Sequence, residues 1–251
     1  MKKSTVEAIV LKNVNYKDAH RIYTLLTKEK GKITAIAHGV RKISSKRAGS
    51  LDTLNNISVN ISEDKGGFYS ISEVKVLNSY AKLKESLDFI LAGLYFSELV
   101  DVFLENYHEN TEIFTLLKSA LTVLSKKPTR AQLVVNVFEL RLLNKLGIGL
   151  TVDKCITCGR ILNSDWNKAG ISYDYGGLVC DLCIKHEMNL ALESAYLLQS
   201  MVIEKDLRHL DKYTKKSETN ASNVIKTHLK KMVETYAKYP RLSRFLTDSV
   251  L

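Results

Sequence analysis

The chain contains no run of about 18 uncharged apolar residues, the length needed to cross a bilayer. Its most apolar stretch, residues 89–104, is interrupted by Glu98 and Asp101, so no membrane partner is expected. The opening Met1-Lys2-Lys3-Ser4-Thr5-Val6-Glu7 is basic but has no apolar segment behind it. No secretory signal is therefore expected, and the chain is placed in the cytoplasm. Also missing are a phosphate-cradling glycine-rich loop, a Gly-x-Ser-x-Gly elbow and a His-Glu-x-x-His helix. His20, His38, His108, His186, His209 and His228 are scattered and form no motif, and the pair Glu63-Asp64 falls beside an expected turn. No catalytic residue is assigned, and the protein is read as a non-enzyme. Internal repeats and low-complexity linkers are absent as well.

What is present suits a folded protein with more than one core, since 251 residues exceed the usual domain of roughly 100 to 150. An apolar fraction of 45% against 25% charged residues excludes wholesale disorder. The net charge of +10 is unevenly placed: residues 1–80 carry 14 Lys/Arg against 7 Asp/Glu, and residues 212–244 carry 9 against 2. Residues 81–211 between them are mildly acidic, with 14 against 17. Two basic lobes suit a polyanion, because each phosphate neutralised releases condensed counterions. A solvated basic surface would have the same composition.

The first 80 residues read as five short strands. Residues 6–11 begin the series, and residues 21–27 and 33–37 are apolar runs joined by Lys28-Glu29-Lys30-Gly31-Lys32. Gly31 there can take the positive φ that a hairpin needs. Ile57-Ser58-Val59-Asn60-Ile61-Ser62 alternates strictly, Gly66-Gly67 turns the chain, and Phe68-Tyr69-Ser70-Ile71 returns. Five strands in so short a segment favour a closed barrel, which removes exposed edges. An OB-fold fits best, although an SH3-like barrel or small sandwich would give much the same pattern. From about Leu83 the apolar period changes to 3.6, with Leu87, Ile90, Leu91, Leu94, Tyr95, Leu99, Val102 and Phe103 on one stripe. Further helices are expected from Asn110-Thr111 to about Leu124, and from Pro128-Thr129 to Gly147 with Leu133, Val137, Leu140 and Leu143 inward. Two more are expected over about 192–208 and 222–239, the last stopped by Pro240. The fold class is thus α+β. A DNA-binding barrel is expected over 1–80 and a mainly helical domain over 81–251, carrying a metal-binding insert at about 151–188.

All four cysteines fall in two Cys-x-x-Cys pairs, Cys155 with Cys158 and Cys180 with Cys183, separated by 21 residues. That spacing matches a four-cysteine zinc site, in which each turn places two thiolates on one side of the metal. With four protein ligands no position is left for water, so one structural Zn2+ is expected. Gly159 can relieve the first turn, and the segment with Gly170, Tyr173, Tyr175 and Gly176-Gly177 reads as a small hairpin. Two disulfides, a thioredoxin-like pair, an iron–sulfur cluster or free thiols are the alternatives.

His38 to Ser50 holds Arg41, Lys42, Lys46 and Arg47 with no acid, a loop able to track a phosphate backbone. Lys226, Lys230, Lys231, Lys238, Arg241 and Arg244 offer a second basic segment, of which Lys230, Lys231, Arg241 and Arg244 are taken as candidate contacts. In both places the competing reading is an ordinary solvated surface.

Taken together, the N-terminal barrel, the run Gly39-Val40-Arg41-Lys42, the Gly66-Gly67 hairpin, the cysteine pairs after Gly147-Ile148-Gly149-Leu150 and the ending Arg241-Leu242-Ser243-Arg244-Phe245-Leu246 resemble the bacterial RecO family of DNA repair proteins. The resemblance spans nearly the whole chain. It implies a nucleoid-associated recombination mediator that binds single- and double-stranded DNA, anneals complementary strands, and acts with RecR and RecF. Together they load RecA onto strands covered by single-strand-binding protein. Contact with the C-terminal tail of that protein would need a basic rim, for which Arg130, Arg141 and Lys145 are candidates. A zinc-ribbon RNA-binding factor and a protein-interaction adaptor are the readings from other classes.

Overall fold

Alternation in the first eighty residues closes a barrel in the computed structural model, which describes residues 2–42, 45, 47–64, 67–126, 130–204 and 206–236. Its strands are β1 (Lys2–Tyr16), β2 (His20–Thr27), β3 (Gly31–Ala37), β4 (Asn56–Glu63) and β5 (Tyr69–Asn78). β1 runs antiparallel to β2 and β4, β2 to β3 and β4 to β5, while β3 and β5 pair in parallel. The order β1-β2-β3-β5-β4 therefore returns on itself as an OB-fold barrel. A short helix, α1 (Arg47–Ser50), joins β3 to β4. Inward positions alternate strictly and fill the lumen, with Val6, Ala8 and Val10 from β1, Tyr23 and Leu25 from β2, and Ile33, Ala35 and Ala37 from β3.

β1 is far longer than the expected 6–11. Its pairing with β2 steps from Val10↔Leu25 to Lys12↔Thr24, so Leu11 is an extra residue, a bulge that bends the strand and lets it run on to Tyr16. Beyond the bulge the positions in register with inward Tyr23 and with Arg21 are Asn13 and Asn15, which removes the inward apolar alternation that marks a strand. The β2–β3 turn is as expected: Gly31 has φ +64°, and a Cβ there would lie 1.9 Å from the His108 carbonyl oxygen.

Helices α2 (Leu87–Phe103) and α3 (Thr111–Ser125) follow. The Asn110 side chain caps α3 as expected, accepting from the Ile113 N–H at 2.9 Å. Lys118 of α3 pairs with Glu7 of β1 at 2.7 Å, and Asp101 of α2 accepts from both Lys12 and Lys32. The inward face of α2 differs from the expected stripe. It is Ala92, Gly93, Phe96, Ser97, Leu99 and Val100, whereas Leu87 and Leu94 are 69% and 40% exposed. The cause is close approach: a Cβ on Gly93 would meet Leu54 Cδ1 at 2.9 Å and Leu121 Cδ2 at 3.3 Å, so small residues turn inward where hydropathy favours large ones.

The sequence places a boundary after residue 80, where the barrel ends. By compactness alone one unit runs to Ala131, because α2 packs against β1 and α3 against α2, and a second begins at Gln132. Its elements are α4 (Ala131–Lys145), β6 (Ala169–Ser172), β7 (Gly177–Cys180), β8 (Met188–Leu190), α5 (Leu192–Ile203) and α6 (Lys215–Tyr236). Leu133, Val137 and Leu140 of α4 meet Leu197, Leu198 and Met201 of α5, Val224 and Ile225 of α6, and Trp166 in one core. α5 ends five residues earlier than expected, where Arg141 donates to the Met201 oxygen at 2.7 Å and to the Glu204 oxygen. α6 begins seven residues earlier, capped by Thr214, whose Oγ1 accepts from the Ser217 N–H at 3.2 Å. No helix among the described residues is long and apolar enough to cross a membrane.

Candidate metal centre and nucleic-acid interface

The metal centre is assembled from two tight turns fixed by backbone hydrogen bonds. In the first, Gly159 N donates to the Cys155 oxygen at 2.9 Å and takes φ +77°, the conformation expected of it. In the second, Cys180 ends β7 and its oxygen accepts from the N–H groups of Cys183 at 2.9 Å and Ile184 at 3.0 Å. Ile156 N donates to Leu178 O at 2.8 Å and ties the first turn to the strand carrying the second. An ion pair between Arg160 and Asp181, at 3.0 Å, joins them on the outside. The hairpin expected between the cysteine pairs is β6–β7, extended by β8 into a three-stranded sheet ordered β7-β6-β8.

The four Sγ atoms lie within 4.8 Å of one another, and those of Cys158 and Cys180 are 3.7 Å apart. Thiolates about 2.3 Å from a tetrahedral ion stand about 3.8 Å apart, whereas a disulfide needs about 2.05 Å. The group therefore fits a metal ion and not a pair of disulfides. Burial pushes the Cys155 thiol up, but the backbone amides of Cys180, Cys158 and Thr157 outweigh it and lower its pKa to about 6. Hydrogen bonding with Cys158 holds Cys183 up, at about 12. One sulfur thus carries charge for its neighbours, an electron-rich set that a cation would complete. His186, exposed, stands outside this set. Beneath it lie Leu150, Val152, Leu162 and Trp166, the indole Nε1 donating to the Ile161 oxygen at 2.9 Å.

The eight residues expected to contact DNA divide sharply. Arg41 and Lys42 are exposed just after β3, and the Arg41 Nη1 reaches the oxygens of Lys17 at 3.4 Å and Asp18 at 3.2 Å. Arg47 is instead a clamp, donating to the oxygens of Ile71 at 3.0 Å, Ser72 at 3.2 Å and His38 at 2.6 Å, and so fixing the loop to β5. Lys230 is exposed on α6, while Lys231 is held by the Tyr173 oxygen at 2.8 Å and by Asp174 at 3.1 Å. Lys46, Arg241 and Arg244 lie outside the described residues. Arg141, a candidate for the basic rim, has its guanidinium turned to the end of α5. The sequence reading missed the β1–β2 turn, whose Lys17, Asp18 and Ala19 oxygens accept from Arg41; a longer β1 would have revealed it.

Comparison with known proteins agrees with this architecture. The family model for the Recombination protein O N terminal matches residues 1–80, and that for the Recombination protein O C terminal matches residues 84–239. The DNA repair protein RecO of Clostridium novyi (strain NT) is 34% identical over 179 residues, 71% of this chain and 68% of its own. That of Caldicellulosiruptor bescii is 31% identical over 228 residues, 90% of each chain, and that of Caldicellulosiruptor saccharolyticus 29% over 239 residues, 95% and 93%. A barrel and a helical second unit matched by both models, with relatives of this identity across both, mean that the chain belongs to the RecO family of DNA repair and recombination proteins.

Proposed function

We propose that the protein is a non-enzymatic recombination mediator that binds single- and double-stranded DNA through its barrel and anneals complementary strands. With RecR, and with RecF, it helps to load RecA onto strands covered by single-strand-binding protein, whose C-terminal tail it contacts. The observation that carries the DNA reading is the exposed basic end of the barrel, where Arg41 and Lys42 follow β3 and the Arg41 guanidinium donates to the Lys17 and Asp18 oxygens of the β1–β2 turn. Cations fixed on a rigid scaffold can hold phosphates while leaving base edges free to pair, which is what annealing requires. One Zn2+ on Cys155, Cys158, Cys180 and Cys183 would give the second unit its brace, since closed four-thiolate sites contribute folding energy and leave no open position for hydrolysis.

The test is binding and annealing across a salt series. Replacing Arg41 and Lys42 together by Ala should weaken DNA binding and lower the slope of log K against log salt by roughly two units, about one per phosphate contact. An unchanged slope would remove this end of the barrel from the interface. Metal analysis of anaerobically purified protein should find one zinc per chain; stoichiometric iron would identify a cluster instead.

A further inference from the structure

The four sulfurs of the metal centre do not meet solvent alike. Cys155 and Cys180 are buried, Cys183 is half-buried and Cys158 is exposed. Thr157 and Gly159, on either side of Cys158, are exposed as well. A Cβ on Gly159 would meet nothing within 4 Å, so this side of the first turn opens to water. The backbone amides gather around the buried pair. The Cys155 sulfur accepts from the Cys180 N–H at 3.4 Å and from the amides of Cys158 and Thr157, and the Cys180 sulfur accepts from the Leu182 amide. Amides that donate to a thiolate lower its basicity and with it its nucleophilicity. The two buried sulfurs are thus shielded from solvent and weakened by amides, which leaves Cys158 as the sulfur that an external reagent reaches first.

A thiol coordinated to a cation is held as thiolate at neutral pH, and oxidation follows thiolate character and exposure. Hydrogen peroxide, small and neutral, meets Cys158 from the solvent side. The Cys158 sulfur lone pair attacks one peroxide oxygen and the O–O bond breaks, giving a Cys158 sulfenic acid and a hydroxide that solvent protonates. Because the peroxide arrives from outside, the new S–O bond points outward, and a second thiolate must displace hydroxide from the inner side. Cys180 stands there, buried, with its sulfur 3.7 Å from that of Cys158. Cys155, also buried, is the weaker competitor because three amides hold its sulfur. Closing the gap to about 2.05 Å forms a Cys158–Cys180 disulfide and expels the second hydroxide, also protonated by solvent. The two sulfurs have then given two electrons to the peroxide, which ends as two water molecules. Only Cys155 and Cys183 remain as thiolates, too few for a closed four-sulfur shell.

We propose that Cys158 is a peroxide-oxidation site, at which a Cys158–Cys180 disulfide forms, unlocks the metal turns and loosens the second unit; this rests on the four-thiolate metal reading above. The test treats the full chain, purified with its metal, with hydrogen peroxide and follows zinc release with a chromogenic chelator. Free thiols are then alkylated and the chain is digested with trypsin. Cleavage separates residues 155–160 from 169–185, so a disulfide between the turns links two peptides while one within the first turn links none. Fragmentation of the linked pair tells Cys180 from Cys183. Wild type should lose its zinc, show the Cys158–Cys180 link, and undergo the same fall in Tm that chelation causes; dithiothreitol with Zn2+ should restore it. Cys158→His keeps four ligands but not the attacked sulfur, and should hold its zinc under the same treatment. Zinc retained with all thiols free, a disulfide within residues 155–160, linkage through Cys183, or zinc lost from Cys158→His as fast as from wild type overturns the proposal and leaves the metal reading intact. If Cys158→His does not take up zinc, the wild-type peptide map alone decides. Wild type purified without stoichiometric zinc overturns the metal reading, and the proposal with it.

Discussion

His228 is buried on α6, with Nε2 hydrogen-bonded to the Ile148 oxygen at 2.8 Å and Nδ1 buried with no hydrogen-bond partner among the described residues. Burial lowers its pKa below the usual histidine value, with Lys231 adding to the effect and the Ile148 bond opposing it. The folded chain therefore keeps this ring neutral while the unfolded chain takes up a proton near pH 6.5. Its stability contribution is complete above that pH and declines as pH falls through it. Gln at this position retains a donor for Ile148 and cannot titrate. Denaturant unfolding from pH 8 to 5 should show wild type losing more stability than His228→Gln; equal losses would mean that the ring does not titrate with unfolding. Residue type alone could not reveal this role, because a lone histidine reads equally as a surface or as a satisfied core residue. The cysteines were legible at this scale for the opposite reason: thiolate ligation demands a fixed spacing, and the spacing is written in the chain. Arg47 shows the limit, since a guanidinium that clamps three carbonyls has the same sequence signature as one awaiting a phosphate.

Two hairpin glycines show how local chemistry and tertiary contact separate within one kind of element. Gly31 and Gly67 both take positive φ, of +64° and +79°, as turns that close antiparallel strands often require. At Gly67 an added Cβ meets nothing within 4 Å, so Gly67→Ala should cost about 1–2 kcal/mol, that of a left-handed side-chain conformation. At Gly31 the same methyl would fall 1.9 Å from the backbone oxygen of His108, so Gly31→Ala should cost at least about 3 kcal/mol. Urea midpoints would check the order, and equal losses would show that the segment bearing His108 yields freely. The strands on either side were legible because one face alternates into a core. What escaped were the outward continuation of β1 past its bulge, the glycine-led face of α2, and the polar first turns of α6. In each, packing or capping overrides an apolar pattern that short windows can detect.

At the scale of the whole molecule the two kinds of chemistry lie in different compact units, the basic barrel end before Ala131 and the cysteine group after Gln132. Each unit has its own core, Tyr23, Leu25 and Ile33 among the barrel's residues, Trp166, Leu178 and Leu198 among those around the metal turns. A metal held between the two turns is thus expected to stabilise the second unit, because its binding free energy is folding free energy there. Trp166, the only tryptophan, lies in that second core and reports on it alone. Chelation, or Cys155→Ser, should shift Trp166 emission to longer wavelength and lower the Tm of the second unit. A shift of roughly 10 °C or more is expected, since each kcal/mol moves the midpoint by about 4 °C for a unit of this size. DNA binding by the barrel should survive at temperatures where the first unit stays folded. If chelation instead abolished DNA binding while Trp166 emission and Tm held, the metal turns would belong to the interface, and the cysteine group would have to be read as part of how the strand is held.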